Sequence, residues 1–193
     1  MVFSERHFGS SGKDLKNAVK EVNKIIKPEG YELIENTIGV YYISSADAYD
    51  DDASSAIHFE EVEAQLIAEI RKAKYLSWAA VAWFTNSKIY ELLVEKRKEG
   101  LSVQVIILDD EINRNSGLHD SPRVFTFKVP PRGHFNNIMH NKFCIVDLKT
   151  VIHGSYNWTN KANYNNETLD VETRRENAEK FADEFIKLKK GIS

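Results

Sequence analysis

The chain has 193 residues, of which 42% are hydrophobic and 28% are charged, and its formal net charge is −3. This composition is typical of a folded, water-soluble protein with one sizeable core. The single cysteine, Cys144, excludes an internal disulfide and a cysteine-based metal centre. The N-terminus is too polar for a signal sequence, and the longest nearly apolar run, Leu76 to Phe84, is too short to span a bilayer. We therefore expect a cytoplasmic protein without a membrane anchor.

Charge is distributed unevenly along the chain. Residues 121–161 contain six basic residues and one acidic residue, whereas residues 45–63 contain seven acidic residues and neither lysine nor arginine. A basic segment could steer a phosphate group towards a site. Both segments could equally be solvated faces of the protein, so charge alone decides nothing about function.

The first elements along the chain form a small group of their own. Apolar residues at helical spacing from Leu15 to Ile26, stopped by Pro28, predict a first helix. Two short strands are predicted at Tyr31 to Glu35 and at Ile38 to Ile43. The polar stretch from Ser44 to Ala56 has the composition of a linker or exposed loop. We therefore predict an N-terminal α+β accessory lobe at residues 1–55 and a second domain at residues 56–193.

The second domain has the pattern of an α/β protein. Val62, Leu66, Ile70 and Ala73 predict a helix, and buried strands are predicted at Ser77 to Phe84 and Val103 to Leu108. The helix between these strands is capped near Asn86 or Ser87 and ends at Gly100. A crossover of this kind favours parallel pairing of the two strands. A long loop containing Pro130-Pro131 precedes the last predicted elements, which are strands at Phe143 to Val146, Val151 to Ser155 and Leu169 to Val171, and a helix with Ala178, Phe181 and Phe185 facing inward.

Chemically reactive side chains interrupt the predicted strand around MHNKFCIVD, residues 139–147. Because side chains alternate along a strand, His140 and Lys142 share one face. A neighbouring lysine favours the neutral, nucleophilic form of the imidazole. A lone His-x-Lys pair is more often a core histidine beside a lysine whose ammonium reaches solvent. The following strand places three more polar residues on one face, so the two strands could gather groups that bind phosphate: His153, Ser155 and Asn157.

The spacing His140-x-Lys142-x4-Asp147, followed by Gly154-Ser155-Tyr156-Asn157, resembles the His-Lys-Asp signature of the phospholipase D superfamily. The segments AVAWFTN (80–86) and NNE (165–167) are also similar to that family. The chain looks most like the short bacterial members with one signature copy, among them nonspecific endonucleases. The resemblance implies a phospholipase D-like mixed β-sheet flanked by helices, and it does not extend to the first 55 residues.

The same resemblance implies a mechanism that needs no metal and no cofactor. In this family one histidine attacks phosphorus, and a second histidine protonates the leaving alkoxide and then activates water. By position, His140 is the attacking histidine, and Glu167 is the acid that orients it. Three residues are expected to hold the phosphate oxygens: Lys142, Ser155 and Asn157.

One signature copy supplies one histidine, whereas the mechanism requires two. A homodimer with a twofold axis through a shared site meets this requirement, because an isologous interface presents the same residue from both subunits. Asp147 falls on the opposite strand face from His140, so we interpret it as a structural hydrogen-bonding residue and not as a proton carrier.

Three functions are compatible with these residues. The first is a phosphodiesterase acting on nucleic acid, with DNA preferred to RNA, which the one-copy signature and the basic segment favour. The second is a phospholipid hydrolase, which requires an apolar rim around the pocket. The third is a binding or sensing module with an inactive site, whose working surface is the lobe at residues 1–55.

Tyr156 and Trp158 are expected to be core aromatics, although they could stack on a base.

Overall fold

The computed structural model describes residues 12–29, 31–35, 39, 41–45, 53–120 and 122–191. Contacts divide the chain into two compact units, Met1–Asp51 and Asp52–Ser193. This division falls slightly before the boundary that the sequence predicts at residue 55.

The first unit contains one long helix and a two-stranded antiparallel sheet. Helix α1 (Gly12–Ile26) is followed by a short 3-10 turn, and strands β1 (Tyr31–Glu35) and β2 (Tyr41–Ser45) pair with each other. The Asn23 side chain joins the helix to the sheet, since its amide donates to Leu33 O at 3.0 Å and its oxygen accepts from Leu33 N at 2.6 Å. The predicted helix and first strand are confirmed, whereas β2 begins later in the chain than the predicted second strand.

The second unit is built on a seven-stranded mixed sheet in the order β3-β9-β8-β7-β4-β5-β6. Its strands are β3 (Ser54–His58), β4 (Leu76–Val81), β5 (Ser102–Leu108), β6 (Phe125–Val129), β7 (Lys142–Val146), β8 (Thr150–Gly154) and β9 (Leu169–Thr173). Its α-helices are α2 (Val62–Arg71), α3 (Ser87–Lys98), α4 (Glu111–Ser116) and α5 (Arg175–Lys190). Strand β4 is parallel to β5 and antiparallel to β7, so the predicted parallel crossover is confirmed.

Apolar side chains cover both faces of the central strands, and two separate core layers result. On one face Cys144 packs in a cluster with residues of α2 and α3, including Ile70 and Leu93. On the other face Phe143 packs in a cluster that includes Phe185 of α5. Buried central strands of this kind appear in sequence as nearly continuous apolar runs, which is why they were predictable. Cys144 lies fully in the core, as expected from its neighbours.

Two strands were missed by the sequence analysis, and both lie at edges of the sheet. The predicted linker Ser44 to Ala56 overlaps β3, and the predicted long loop contains β6. Edge strands pair on one side only and are half-exposed, so their sequences SSAIH and FTFKV carry a weak hydrophobic signal. The predicted linker was therefore wrong at Ser54 to Ala56.

The strand ends that carry the predicted site residues lie together at one end of this sheet, where the strands start or stop. The C-terminal end of β4 lies beside the N-terminal end of β7, with Val81 opposite Lys142. The C-terminal end of β8 lies beside the N-terminal end of β9, with Gly154 opposite Leu169. The polar residues just outside these four strand ends therefore meet at one place.

Candidate active site

His140 lies immediately before β7, and its imidazole is exposed at the edge of the sheet. The ring makes an edge-to-face contact with the indole of Trp83, with 5.6 Å between ring centroids and 77° between planes. Partial burial lowers the pKa of His140 below its ordinary value, and the neighbouring Lys142 ammonium lowers it further. Both effects favour the neutral imidazole, which is the nucleophilic form.

Lys142 is the first residue of β7, and its ammonium turns back towards the preceding residues. Lys142 Nζ donates a hydrogen bond to the backbone carbonyl of His140 at 2.8 Å. Burial lowers the pKa of Lys142, while the negative charge of Glu167 raises it. The lysine therefore connects the candidate nucleophile to the candidate carboxylate.

Glu167 and Ser155 are joined between the ends of β8 and β9. Ser155 Oγ donates to Glu167 Oε2 and accepts from Thr168 N at 3.0 Å. The Asn165 amide donates to Glu167 Oε1 at 3.2 Å. Among the described residues Glu167 forms no hydrogen bond with His140, so its predicted role in orienting the imidazole stays a prediction.

The close approach of β8 to the residues before β9 depends on Gly154. A Cβ atom added at this position would overlap with the backbone carbonyl of Thr168. The same carbonyl accepts from Ser155 N at 3.1 Å. Glycine is therefore required at residue 154 to bring Ser155 within hydrogen-bonding distance of Glu167 and Thr168.

A cleft of about 420 Å³ opens beside these residues, and Asn157 lines it. Asn157 Oδ1 is buried without a hydrogen-bond partner among the described residues. Most of the other lining residues are polar: Thr85, Thr159, Asn160, Lys161 and Asn165, together with the indole of Trp83. A polar oxygen without a partner is costly to bury, so this position favours an incoming hydrogen-bond donor.

Asp147 lies at the opposite end of β7 from His140. Its carboxylate accepts three backbone hydrogen bonds from the residues that enter β4, at 2.8–2.9 Å: Lys74 N, Tyr75 N and Leu76 N. These contacts connect a loop to the strand end and are remote from the other residues of the signature.

His153 does not lie with the site residues, contrary to the prediction that it shares their face. The register pairs His153 with Phe143, so its ring points away from Lys142 and stacks on Phe181 of α5 at 5.3 Å. Ser155 follows the end of β8, where the alternation of a strand no longer applies. Tyr156 and Trp158 are 2% exposed, which confirms that they are core aromatics.

The basic segment of the sequence does not form one patch at the site. Arg123 pairs with Glu91 at 2.8 Å, and Lys128 lies 3.5 Å from Asp120. Lys142 and Lys161 are the members of the segment that border the candidate site or its cleft. Phosphate binding by this segment therefore stays a prediction.

Other structural features bear on the class of protein. No helix in the described parts of the chain is long and apolar enough to cross a membrane. Within the same residues no three His, Cys, Asp or Glu side chains are grouped so that they could hold a metal ion.

The site residues that sequence reasoning missed are Trp83 and its neighbours in the cleft. Trp83 belongs to the segment AVAWFTN, which the sequence analysis noted without assigning a role to the tryptophan. Its position beside His140 follows from strand register, which the sequence does not show.

Comparison with known proteins identifies relatives of the second unit. Residues 66–189 match the family described as "Cardiolipin synthase, PLD-like domain". A mitochondrial cardiolipin hydrolase of Chlamydomonas reinhardtii is 30% identical over 105 residues, which are 54% of this chain and 47% of that protein. The chain thus spans about half the length of the curated relative that it matches.

Two solved structures share the fold. NucT from Helicobacter pylori superimposes with a TM-score of 0.63 at 22% identity, over 71% of this chain and 96% of NucT. The phospholipase D family member Nuc from Salmonella typhimurium gives a TM-score of 0.62 at 23% identity, over 71% of this chain and 94% of Nuc. Because the family match covers more than half of the residues, the chain belongs to the phospholipase D superfamily.

Proposed function

We propose that the chain is a metal-independent phosphodiesterase that hydrolyses nucleic acid, with DNA as the first candidate and RNA as the second. The observation that carries this proposal is the grouping of Lys142, Ser155 and Glu167 beside an exposed His140, in a chain of the phospholipase D superfamily. The Lys142 ammonium and the cleft-lining amide of Asn157 can donate to phosphate oxygens and stabilise charge that develops on them, whereas the Ser155 hydroxyl can do so only if its proton leaves Glu167.

The chemistry proceeds in two displacements at phosphorus. Neutral His140 attacks the phosphorus atom, a nitrogen–phosphorus bond forms, and the bond to the leaving alkoxide breaks as a second, protonated histidine gives the alkoxide its proton. That histidine, now neutral, takes a proton from water, whose oxygen attacks phosphorus and releases His140. The lowered pKa of His140 supports its role as the group that begins neutral.

The second histidine is proposed to come from a second copy of the chain. Within the described residues no other histidine forms a ring contact or a hydrogen bond with His140. His119 is buried, His153 faces α5, and the ring of His134 contacts Phe135. His58 lies on β3, three strands away from β7, a separation of roughly 14 Å. His140 of the partner subunit meets the requirement if a twofold axis passes through the site.

The lining of the cleft favours nucleic acid as the substrate. Hydroxyl and amide side chains from Thr85, Thr159, Asn160 and Asn165 can bind the polar edges of a base or a sugar. The indole of Trp83 offers an aromatic surface at the same place. Ile112 and Ala162 also line the cleft, so its lining is mixed and does not by itself exclude an apolar substrate group.

Phospholipid hydrolysis is the second candidate, and exposed apolar side chains favour it. Phe59 follows the end of β3 at the same edge of the sheet and is 69% exposed, and Tyr164, beside the cleft residue Asn165, is 91% exposed. Side chains of this kind could enter a lipid surface. The name of the cardiolipin hydrolase relative points in the same direction.

One experiment compares the candidates directly. Purified protein is incubated with plasmid DNA, single-stranded DNA, RNA and vesicles that contain cardiolipin and phosphatidylcholine, each with excess EDTA. We expect nucleic acid to be cleaved in EDTA, with activity abolished by His140→Ala and retained by His153→Ala, whose ring faces α5.

Three other outcomes have clear meanings. Loss of cleavage in EDTA with recovery in Mg²⁺ would overturn the histidine mechanism. Release of lipid headgroups without cleavage of nucleic acid would favour the phospholipid candidate. A folded protein with no activity on any of these substrates would leave the binding or sensing module as the remaining candidate.

A further inference from the structure

Trp83 and His140 are cross-strand neighbours at the edge of the sheet. The β4–β7 register places Val81 opposite Lys142, and the bond from Ala82 N to Asn141 O, at 2.9 Å, extends the same register by one residue. Trp83 and His140 are the next residues in this series and lie just outside the two strands. Their rings are in contact there.

The indole of Trp83 is fixed by a hydrogen bond. Trp83 Nε1 donates to Asp110 Oδ2 at 2.7 Å. The other oxygen of Asp110 accepts from Asn113 N at 3.0 Å and caps the first turn of α4. Asp110 is therefore itself held in place when it binds the indole.

The backbone on both sides of Trp83 is fixed as well. Asn113 is buried, and its amide donates to Ala82 O at 2.7 Å, while its oxygen accepts from Phe84 N at 2.9 Å. One side chain thus binds the residue before Trp83 and the residue after it. Neither the main chain nor the ring of Trp83 can move without breaking these bonds.

His140, in contrast, has few contacts of its own. Its imidazole is exposed, and the indole of Trp83 is the ring that it touches among the described residues. Lys142 binds the backbone carbonyl of His140 and not its ring. The orientation of the imidazole therefore depends on the tryptophan.

We propose that Trp83 is a positioning residue that holds the imidazole of His140 for attack on phosphorus, and that Asp110 fixes Trp83 in this role. The inference rests on the proposed function, in which His140 is the nucleophile. The charged groups near this arrangement are Lys142, which acts on His140, Glu167, which acts on Lys142, and Asp110, which binds the indole. Displacing a reacting group by about 1 Å can cost up to about 100-fold in rate, so fixing the ring matters for turnover.

The test combines kinetics with direct titration of the imidazole. Trp83→Ala removes the ring, and Trp83→Phe keeps a ring but loses the bond to Asp110. We expect kcat to fall by about 10- to 100-fold in Trp83→Ala, with little change in KM, and to fall less in Trp83→Phe. In NMR titration of ¹³C-labelled histidine, the pKa of His140 should rise towards its ordinary value in Trp83→Ala, because the ring that partly buries it is gone.

The chain offers matched controls for both residues. Trp78 lies on β4, five residues before Trp83, stacks on Phe185 at 5.3 Å and donates to Ser102, so Trp78→Phe should change neither kcat nor the titration of His140. Asp110→Ala should reproduce Trp83→Phe, whereas Asp110→Asn should lose less activity, because its one amide oxygen can accept from the indole or from Asn113 N but not from both. Asp109→Asn changes a neighbouring carboxylate that pairs with Arg114 and should have no effect on His140.

The titration tests the contact between Trp83 and His140 even if the wild-type chain cleaves no phosphodiester, so failure of this contact and failure of the proposed function can be told apart. An unchanged His140 titration and an unchanged pH–rate profile in folded Trp83→Ala would overturn the proposal. An effect of equal size in Trp78→Phe would also overturn it, since loss of any large ring on β4 would then be sufficient.

Discussion

Ser155 and Glu167 are bound to each other between the ends of β8 and β9, and Lys142 contributes its charge from the adjacent strand. The serine hydroxyl also accepts from Thr168 N, so both its donor and an acceptor site are used within the protein. Glu167 is therefore the residue through which the candidate phosphate-binding groups are held together.

Replacing Glu167 by glutamine should lower kcat/KM by up to about 100-fold while the fold is kept. The substitution removes the negative charge that raises the pKa of Lys142 and weakens the acceptor for Ser155. Steady-state kinetics on the substrate identified above measures the effect. Glu172→Gln is the matched control, because Glu172 lies on β9, five residues after Glu167, and accepts from Asn177. Equal losses in both variants would contradict the role given to Glu167.

Replacing Gly154 by alanine should destabilise the protein by about 3 kcal/mol and abolish activity, because the added methyl group would displace Thr168 and with it Ser155. Chemical denaturation and the nuclease assay check the two effects. Gly117→Ala is the control, since Gly117 has φ of 66° with open space around it. That variant should cost about 1–2 kcal/mol of strain and leave activity unchanged.

Replacing Asp147 by alanine should lower stability without a matching loss of kcat. Three backbone N–H groups lose their acceptor, at a cost of about 2–3 kcal/mol. Asp147→Asn should cost less, because an amide oxygen can still accept. The comparison is Asp120→Ala, an exposed residue 3.5 Å from Lys128, which should change stability by no more than about 0.5 kcal/mol. A large loss of kcat in Asp147→Ala, measured under conditions where the variant is folded, would show that the signature aspartate takes part in the chemistry.

His119 should make the stability of the fold depend on pH. Burial lowers the pKa of its imidazole below 6.5, although its bond to Phe84 O at 2.8 Å raises it. Between the folded and unfolded pKa values of His119, the unfolded chain binds more protons than the folded one. The contribution of His119 to stability is therefore fully present above about pH 6.5 and is lost as the pH falls. His119→Gln keeps a donor for Phe84 O and should show a smaller fall in Tm between about pH 7 and pH 5. Equal falls in both proteins would exclude this contribution.

Mixed dimers test whether the site is shared. Wild-type and His140→Ala chains, unfolded together in equal amounts and refolded, should pair at random and give about half mixed dimers. If each site needs one histidine from each subunit, activity should be about a quarter of the value for the same number of wild-type dimers. Independent sites predict about half. Differently tagged chains confirm that mixed dimers have formed, and an activity near half would show that each subunit works alone.

The sequence was most informative where strands are buried on both faces. The central strands β4, β5 and β7 appear as apolar runs, and the helix between β4 and β5 has a clear cap at Asn86, whose side chain accepts from Lys88 N and Ile89 N. Strands β3 and β6 were missed because an edge strand has a neighbour on one side only and alternates weakly. Hydrophobic periodicity reflects which side chains are buried, so it predicts edge strands less well than central strands.

The candidate site was predictable only where it depends on motif spacing. The resemblance identified His140, Lys142, Ser155 and Glu167, which the structure places at one edge of the sheet. Strand alternation failed for His153, because the chain leaves strand geometry after Gly154 and the register pairs His153 with Phe143. Trp83 and Asp110 escaped notice because their relation to His140 depends on pairing between residues distant in sequence.

The separation of Lys142 and Asp147 in sequence corresponds to the length of one strand. Strand β7 has five residues, so it extends roughly 16 Å from the lysine at one edge of the sheet to the turn that holds the aspartate. The spacing of the motif therefore fixes the distance along β7 between the strand end that carries Lys142 and the strand end that Asp147 anchors. One inserted residue would reverse the faces of all side chains beyond it, so a chain of this kind can vary its loops far more freely than the length of this strand.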